Sequence, residues 1–232
     1  GKNIFITGPG GTGKTHLIKT IVKDLVEKEK AYKVCAMTGC AAILLMCGAT
    51  TLHTFAGIGL GIGTIDEVVE KVVKNRHKRP NWHKTDILIV DEVSMLSLKI
   101  FMILDLIAKK IKKQPLKPFG GMQIIFSGDF YQLPPVGKAS EPDTTKFCFE
   151  SELWNETFPQ ENQIQLKTMF RQTDPKYIKI LNGIRVGKIT NSTITTLTGC
   201  VNKKDQDEAK PTILLPRRRD ADIINNKELN KL

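Results

Sequence analysis

Short runs of apolar residues alternate with helical patterns in the first half of the chain. Four runs predict strands: Asn3 to Thr7 and Tyr32 to Met37, and the buried runs Ile87 to Val90 and Met122 to Ser127. Apolar residues three or four positions apart predict helices between them: Leu17 to Leu25, a short buried helix at Ala41 to Met46, and Ile100 to Ile111. Because strands that alternate with helices form parallel sheets covered on both faces, we predict an α/β fold.

A second set of elements follows the proline-rich turn at Leu133 to Val136. After an irregular stretch, the pattern predicts a strand at Gln163 to Leu166, a helix at Pro175 to Arg185 ended by Gly187, a strand at Thr212 to Leu215 and a helix from Arg217 onward. We place a domain boundary near residue 160, which gives a first domain at 1–160 and an incomplete second domain at 161–232.

A glycine-rich loop joins the first predicted strand to the first predicted helix. Its residues Gly8-Pro9-Gly10-Gly11-Thr12-Gly13-Lys14-Thr15 match the phosphate-binding pattern G-x-x-x-x-G-K-[ST] in full. Glycines let successive N–H groups point at phosphate oxygens, and the positive end of the helix follows. We predict a nucleotide site in which Gly8, Gly10, Gly11, Thr12 and Gly13 surround the phosphates, Lys14 reaches the β- and γ-phosphates and Thr15 binds Mg²⁺.

Polar side chains follow two of the predicted strands. Asp91 is placed to hold Mg²⁺ and Glu92 to deprotonate the attacking water, although one of the two could instead cap the next helix. After the strand at Met122 to Ser127, the Gln132 amide both donates and accepts hydrogen bonds, which suits a sensor of the γ-phosphate. Of the neighbouring aromatics Phe130 and Tyr131, we expect at least one to lie in the core rather than stack on a base.

The charge of the chain points to a polyanionic partner. Thirty-five Lys and Arg against twenty-four Asp and Glu give a net charge of +11, and such a field favours nucleic acid or an anionic surface. No apolar run approaches the roughly 20 residues that a membrane-spanning helix needs, so we expect no membrane partner. The five scattered cysteines contain no C-x-x-C pair, which favours a reducing intracellular compartment.

Five segments in this order resemble the motif series of the Pif-one family of superfamily 1 DNA helicases, relatives of RecD. They are GPGGTGKT, TGCAAILLMCGATTLHTFAGIGLG, ILIVDEVSML, FSGDFYQLPPV and FRQTDPKYIKILNGIRVG. The resemblance implies a P-loop NTPase with a RecA-like parallel sheet, followed by part of a second RecA-like domain, and ATP with Mg²⁺ as cofactors. The chain begins at Gly1 without a methionine, and we expect it to be a fragment of a longer protein.

The resemblance also implies roles for single residues. Lys14, Asp91, Glu92 and Gln132 match the family's catalytic positions, and Arg171 matches an arginine that reaches the γ-phosphate from the second domain when the cleft closes. Without the motif, Arg171 would be interpreted as an exposed surface residue. Thr38, Gly39, Thr51 and His53 match stretches that touch the DNA backbone, although His53 equally suits a structural role.

A basic segment coincides with the family's small strand-separating insertion, near residues 57–84. Residues 71–117 carry twelve Lys or Arg and four Asp or Glu, and so hold eight of the eleven net positive charges. We interpret Lys74, Arg76, Lys78 and Arg79 as a contact for duplex or single-stranded DNA, and the alternative is a role in solubility.

The resemblance implies an ATP-dependent DNA helicase that moves 5′ to 3′ on single-stranded DNA and unwinds duplex junctions in DNA repair, recombination or telomere maintenance. We expect a monomer, in the nucleus or mitochondrion if the source is eukaryotic. A DNA-dependent ATPase that translocates without unwinding and a nucleotide-gated DNA-binding module are the alternatives.

Overall fold

The computed structural model describes residues 1–201 and 212–231. These residues belong to two compact units, Gly1–Lys188 and Ile189–Leu232. The strands are β1 (Ile4–Thr7), β2 (Tyr32–Ala36), β3 (Thr50–Thr51), β4 (Ile87–Asp91), β5 (Gln123–Gly128) and β6 (Gln163–Gln165). The helices are α1 (Lys14–Glu27), α2 (Gly39–Leu45), α3 (Leu52–Ala56), α4 (Ile65–Lys74), α5 (Arg79–Lys84), α6 (Leu98–Lys112), α7 (Leu153–Thr157), α8 (Pro175–Arg185), α9 (Asn191–Thr198) and α10 (Arg218–Leu229).

The six strands of the first unit form one parallel sheet in the order β3-β2-β4-β5-β1-β6. The parallel α/β fold predicted from the alternating pattern is therefore confirmed. Strands β4, β5 and β1 are neighbours, and the carboxyl ends of parallel strands lie at the same edge of a sheet. The loops that carry the phosphate-binding glycines, the two carboxylates and Gln132 consequently leave the sheet side by side.

The sheet is covered on both faces by apolar side chains. Along β4, Leu88 and Val90 pack into a cluster with α4 and α6, whereas Ile87 and Ile89 pack into a cluster with α1 and α2. Because successive side chains of a strand point to opposite faces, a strand buried on both faces has an uninterrupted apolar sequence. This explains why the central strands could be recognised from their runs of apolar residues in the sequence.

The helix predicted at Ala41 to Met46 forms as α2, but the prediction that it is buried is wrong for much of its surface. Ala42 and Leu45 pack against the sheet, while Ile43, Leu44 and Met46 are 77%, 70% and 84% exposed. A short helix that lies on a sheet buries one stripe of positions three or four residues apart. The remaining apolar residues of the run therefore face outward.

The insertion predicted near residues 57–84 forms α4, α5 and their connections. Trp82 of α5 is fully buried, packs with its ring centre 5.2 Å from that of Phe55 and donates its indole N–H to the Ala56 carbonyl at 3.2 Å. Helix α4 is joined to α6 by Glu70, which accepts hydrogen bonds from Lys110 and also pairs with Lys74. The insertion is thus packed onto the rest of the first unit through contacts with α3 and α6.

Strand β6 forms as predicted but belongs to the sheet of the first unit, where it pairs with β1. The backbone ladder continues beyond it, because the Leu166 N–H donates to the Thr7 carbonyl at 2.8 Å. The division between compact units falls after Lys188, further along the chain than the boundary predicted near residue 160. All three β6 residues are exposed, so their hydrophobicity carries no information about which sheet they join.

Helix α10 in the second unit matches the helix predicted from Arg217 onward. The strand predicted at Thr212 to Leu215 is not formed, because these residues have no ladder partner among those the structure describes. Helix α9 begins after Thr190, whose hydroxyl accepts from the Thr193 N–H at 3.2 Å. The assignment of residues 161–232 to a second RecA-like domain stays a prediction.

Candidate functional site

The glycine-rich loop between β1 and α1 needs its glycines for two separate reasons. Gly8 and Gly11 have φ angles of +146° and +86°, which side-chain-bearing residues rarely adopt. A Cβ atom on Gly8 would lie 2.4 Å from the Leu166 carbonyl oxygen, and one on Gly11 would lie 2.7 Å from Cβ of Arg171. The loop is thus bent tightly and packed against the segment that follows β6.

Lys14 begins α1 and closes the loop with its ammonium group. Its Nζ donates to the carbonyl oxygens of Gly8 at 2.7 Å and Pro9 at 3.1 Å. Burial lowers the pKa of Lys14, while the nearby carboxylates of Asp129, Glu92 and Asp91 oppose that shift. The predicted phosphate-binding cation therefore lies among the acidic residues of the neighbouring loops.

The two carboxylates at the end of β4 differ in their surroundings. Asp91 is 4% exposed and accepts a hydrogen bond from the Glu92 N–H at 3.0 Å. Glu92 has a left-handed backbone (φ +59°), an uncommon conformation for a residue with a side chain. Burial, reinforced by the charge of Asp91, raises the pKa of Glu92, which suits a proton acceptor.

Thr15 and Asp91 fit the predicted Mg²⁺ site. Burial raises the pKa of Asp91, but the hydroxyls of Ser127 and Thr15 and the ammonium of Lys14 act against that shift, so the Thr15 hydroxyl lies beside the carboxylate. A hydroxyl and a carboxylate are oxygen ligands of the kind that Mg²⁺ prefers, and it takes its other ligands from phosphates and water. Among the described residues there is no cluster of three His, Cys, Asp or Glu that could hold a metal by itself.

Gln132 lies in a turn that begins directly after β5. Its backbone N–H donates to the Asp129 carbonyl at 2.8 Å, and its side-chain amide donates to the Asp129 carboxylate at 3.3 Å. Phe130 packs in an aromatic cluster, 5.4 Å from Phe5 and 5.6 Å from Trp154, whereas Tyr131 is 62% exposed. The expectation that at least one of these aromatics belongs to the core is confirmed.

Arg171 lies in the first compact unit, although the sequence placed it across a domain boundary. The chain leaving β6 runs along the phosphate-binding loop, where the Phe170 N–H donates to the Gly11 carbonyl at 2.9 Å. Arg171 and Gln132 border one cavity of about 360 Å³ with the glycine-rich loop. The residues lining this nucleotide cavity are Gly10, Gly11, Gly13, Lys14, Thr15, His16, Glu92, Gln132, Phe170 and Arg171.

The candidate DNA-binding residues lie outside the nucleotide cavity. Thr38 follows β2 and Thr51 is the last residue of β3, and their hydroxyls accept from the N–H groups of Ala41 at 3.2 Å and Thr54 at 3.3 Å. Helix capping accounts for both threonines without any ligand, and Gly39 is the first residue of the capped helix α2. Half-buried His53, whose pKa is lowered by burial, lines a second cavity of about 410 Å³ with Met37 and Val136.

The four basic candidates span the end of α4 and the start of α5. Lys74 is paired with Glu70 at 3.2 Å. Lys78 precedes α5 and covers Gly57, where an added Cβ would meet its side chain at 2.7 Å. Arg76 and Arg79 are exposed. The structure therefore groups these four along one connection, separate from the residues that line the nucleotide cavity.

Sequence reasoning missed the ion pair between Arg185 and Asp129. Arg185, the last residue of α8, donates from Nε at 2.8 Å and from Nη2 at 2.6 Å to the two carboxylate oxygens of Asp129. The partners are 56 positions apart, so no local pattern joins them. The sequence pointed only to Asp129, through its position with Gln132 after an apolar strand, and gave no sign of Arg185 as its partner.

Comparison with known proteins identifies the relatives of this chain. The family description "PIF1-like helicase" matches residues 1–195. The ATP-dependent DNA helicases RRM3 and PIF1 of Saccharomyces cerevisiae are 40% and 42% identical over 99% and 100% of this chain. The chain spans 32% and 27% of their lengths.

Solved structures agree with the sequence relatives. The crystal structure of Pif1 helicase from Candida albicans superimposes with a TM-score of 0.89 at 37% identity, covering 100% of this chain and 51% of that one. A Pif1 helicase from Bacteroides, solved in complex with ADP-AlF3 and single-stranded DNA, gives a TM-score of 0.80 at 31% identity, covering 99% and 53%. Together with the family match over residues 1–195, these similarities show that this chain belongs to the PIF1-like helicase family.

Proposed function

We propose that this chain is the ATP-binding part of an ATP-dependent DNA helicase. In that enzyme, hydrolysis of MgATP drives 5′-to-3′ movement on single-stranded DNA and the unwinding of duplex junctions. One observation carries the proposal: Lys14, Thr15, Glu92, Gln132 and Arg171 border a single cavity around the phosphate-binding loop. The names of the S. cerevisiae relatives and the ligands of the Bacteroides structure support it.

Each residue of the cavity has a chemical role in this proposal. The loop N–H groups and Lys14 bind the phosphates, and Thr15 with Asp91 would hold Mg²⁺, which neutralises charge on the β- and γ-phosphates when bound. Glu92 accepts the proton of the attacking water. Gln132 orients that water, and Arg171 stabilises the charge that develops on the transferring phosphoryl group.

We place the DNA across the carboxyl ends of β2 and β3, at Thr38, Gly39, Thr51 and His53. Hydroxyls and N–H groups at helix starts suit phosphates, which position a strand without reading its sequence. The His53 cavity also contains Val136, four residues after Gln132, so the proposed DNA site adjoins the loop that carries the phosphate sensor. Lys74, Arg76, Lys78 and Arg79 extend the basic surface available to a duplex or single strand.

We further propose that the protein acts as a monomer on DNA in repair, recombination or telomere maintenance, in a reducing compartment that is the nucleus or mitochondrion in a eukaryote. Its relatives include DNA helicases of yeasts and vertebrates, which supports this setting. All five cysteines are free thiols. No helix in the described ranges is both long and apolar enough to cross a bilayer.

Two measurements test the proposed function. ATP turnover with and without single-stranded DNA separates an ATPase from a nucleotide-gated binding module, which would bind both ligands without turnover. Displacement of a labelled strand from duplexes with a 5′ or a 3′ tail then separates a helicase from a translocase. We expect DNA-stimulated turnover and displacement only from the 5′-tailed duplex, measured in the longest protein that contains this chain.

A further inference from the structure

The ion pair between Arg185 and Asp129 lies directly behind the turn that carries Gln132. The side chain of Asp129 is 1% exposed and that of Arg185 is 20% exposed. Two parallel hydrogen bonds, at 2.8 and 2.6 Å, join the guanidinium to both carboxylate oxygens. Because removing two charges from water is costly, a buried pair is weak evidence for added stability. Its position suggests another use.

Asp129 holds the Gln132 turn through its other contacts. Its carboxylate accepts from the Tyr131 N–H at 3.2 Å and from Gln132 Nε2 at 3.3 Å. Burial alone would raise the pKa of Asp129, but the hydrogen bonds from Arg185, Gln132 and Tyr131 outweigh it and keep the pKa below its usual value. Arg185 thus keeps an ionised acceptor at the base of the turn.

The same acceptor fixes which end of the Gln132 amide is free. A carboxylate accepts hydrogen bonds only, so the amide must direct its NH₂ group to Asp129. Its carbonyl oxygen is then the end left to accept a hydrogen bond from a water in the nucleotide cavity, which Gln132 borders. The Arg185 guanidinium also lies 4.4 Å above the ring of Tyr131, so it contacts the turn at two points.

We propose that Arg185 is a positioning residue for ATP hydrolysis, acting through Asp129 to hold the Gln132 amide toward the γ-phosphate and its water. The inference rests on the proposed function and adds to it a residue that does not border the nucleotide. It also makes the end of α8 part of the γ-phosphate sensor, because Arg185 is the last residue of that helix.

A double-mutant cycle between Arg185 and Gln132 tests the proposal. If Arg185 acts through Gln132, Arg185→Ala lowers ATP turnover by about 100-fold, as expected for a misplaced reacting group. In a Gln132→Ala background, the same change should lower turnover by less than about twofold, since the amide it positions is already gone. Lys179→Ala, which removes an exposed cation from the same helix, is the matched control and should leave turnover unchanged.

Nucleotide affinity gives a second readout that a purely structural role would not produce. ADP and ADP with aluminium fluoride differ in the γ-phosphate position that Gln132 would contact. Arg185→Ala should leave the Kd for ADP unchanged and weaken binding of ADP with aluminium fluoride by about tenfold or more, as loss of a hydrogen bond in a charged network predicts. Arg185→Lys keeps the charge but not the paired hydrogen bonds, and it should show an intermediate loss.

The outcomes are separable. If the parent protein does not bind MgATP, the proposed function is overturned. If the parent binds MgATP but Arg185→Ala reduces turnover equally in both backgrounds, or weakens ADP as much as ADP with aluminium fluoride, Arg185 is only a structural residue. Should Arg185→Ala fail to fold, the same cycle with Arg185→Lys decides the question.

Discussion

Glu92 is the residue whose surroundings most closely match a chemical task. Its carboxyl is partly desolvated, close to Asp91 and Lys14, and displayed by a left-handed backbone at the end of a buried strand. The sequence predicted the buried strand and the adjacency to Asp91, but not the desolvation of the Glu92 carboxyl or its left-handed backbone. The sequence indicated that two carboxylates would meet the phosphate-binding loop, but the division of roles between them depends on how the strand ends.

Glu92→Gln should keep ATP binding and lower hydrolysis by about 100-fold or more, because the amide preserves the shape but removes the proton acceptor. Turnover and equilibrium binding of ATP measure the two effects separately. Lys14→Ala is the companion variant, and it should weaken binding as well, since it removes the cation that faces the phosphates. If the Glu92→Gln protein turns over ATP at a rate within a few-fold of the parent, Glu92 is not the proton acceptor.

The raised pKa of Glu92 predicts a pH dependence of hydrolysis. A proton acceptor works only when ionised, so kcat/KM for MgATP should be full above the raised pKa and fall as the pH drops through it. The fall should therefore begin at a higher pH than the value of about 4.3 for an ordinary glutamate would give. Gln132→Ala changes no titratable group, so its lower rates should inflect at the same pH. A flat profile would contradict the prediction.

At the scale of elements, the connection between α4 and α5 concentrates the exposed basic side chains of the insertion. If Lys74, Arg76, Lys78 and Arg79 track a phosphate backbone, affinity for single-stranded DNA should fall steeply with salt, each contact adding about −0.7 to the log–log slope. Reversing these four residues to glutamate should flatten that slope, measured by DNA binding at several salt concentrations.

A matched variant distinguishes DNA contacts at this connection from the effect of the net positive charge of the whole protein. Reversing four exposed lysines elsewhere on the first unit, Lys2, Lys23, Lys30 and Lys117, changes the net charge by a similar amount at other surfaces. This variant should lower affinity less and keep most of the slope. If both variants flatten the salt dependence of DNA affinity equally, the basic residues between α4 and α5 serve solubility rather than DNA contact.

The sequence predicted best those elements whose hydrophobic pattern is the same whichever neighbours they pack against. A strand buried on both faces is apolar wherever it lies in the sheet, so β2, β4 and β5 were identified without knowing the topology. Strand β6 and helix α2 depended on long-range packing. Exposed Gln163 and Gln165 give no sign of pairing with β1, and the apolar run of α2 gives no sign that Ile43 and Leu44 face solvent.

At the scale of the whole molecule, Arg171 borders the nucleotide cavity and lies on the segment that leads from β6 to α8. We predict that single-stranded DNA stimulates hydrolysis and that Arg171→Ala removes most of the stimulation, with a loss on the order of 10³-fold in rate. DNA can favour the active arrangement only by binding it better than the alternative.

The measurement is ATP turnover with and without single-stranded DNA in the longest protein that contains this chain. Nucleotide affinity should change less in Arg171→Ala than in Lys14→Ala, because Lys14 holds the phosphates before and after cleavage. If Arg171→Ala keeps its DNA-stimulated rate, Arg171 is a surface residue that merely packs against the loop.

The position of β1 in the sheet has a consequence for how the protein is made. Among the described residues β1 pairs with β5 and β6, and its ladder to β5 joins residues 121 positions apart, such as Ile4 and Ile125. Contacts so distant in sequence form late and slow the folding of a domain. During synthesis, the glycine-rich loop leaves the ribosome well before its neighbours, because β5, β6 and the Phe170 segment all follow it in the chain. Under the proposed function, ATP would therefore bind only to a nearly finished domain, and bound nucleotide would report that the growing chain had passed this point.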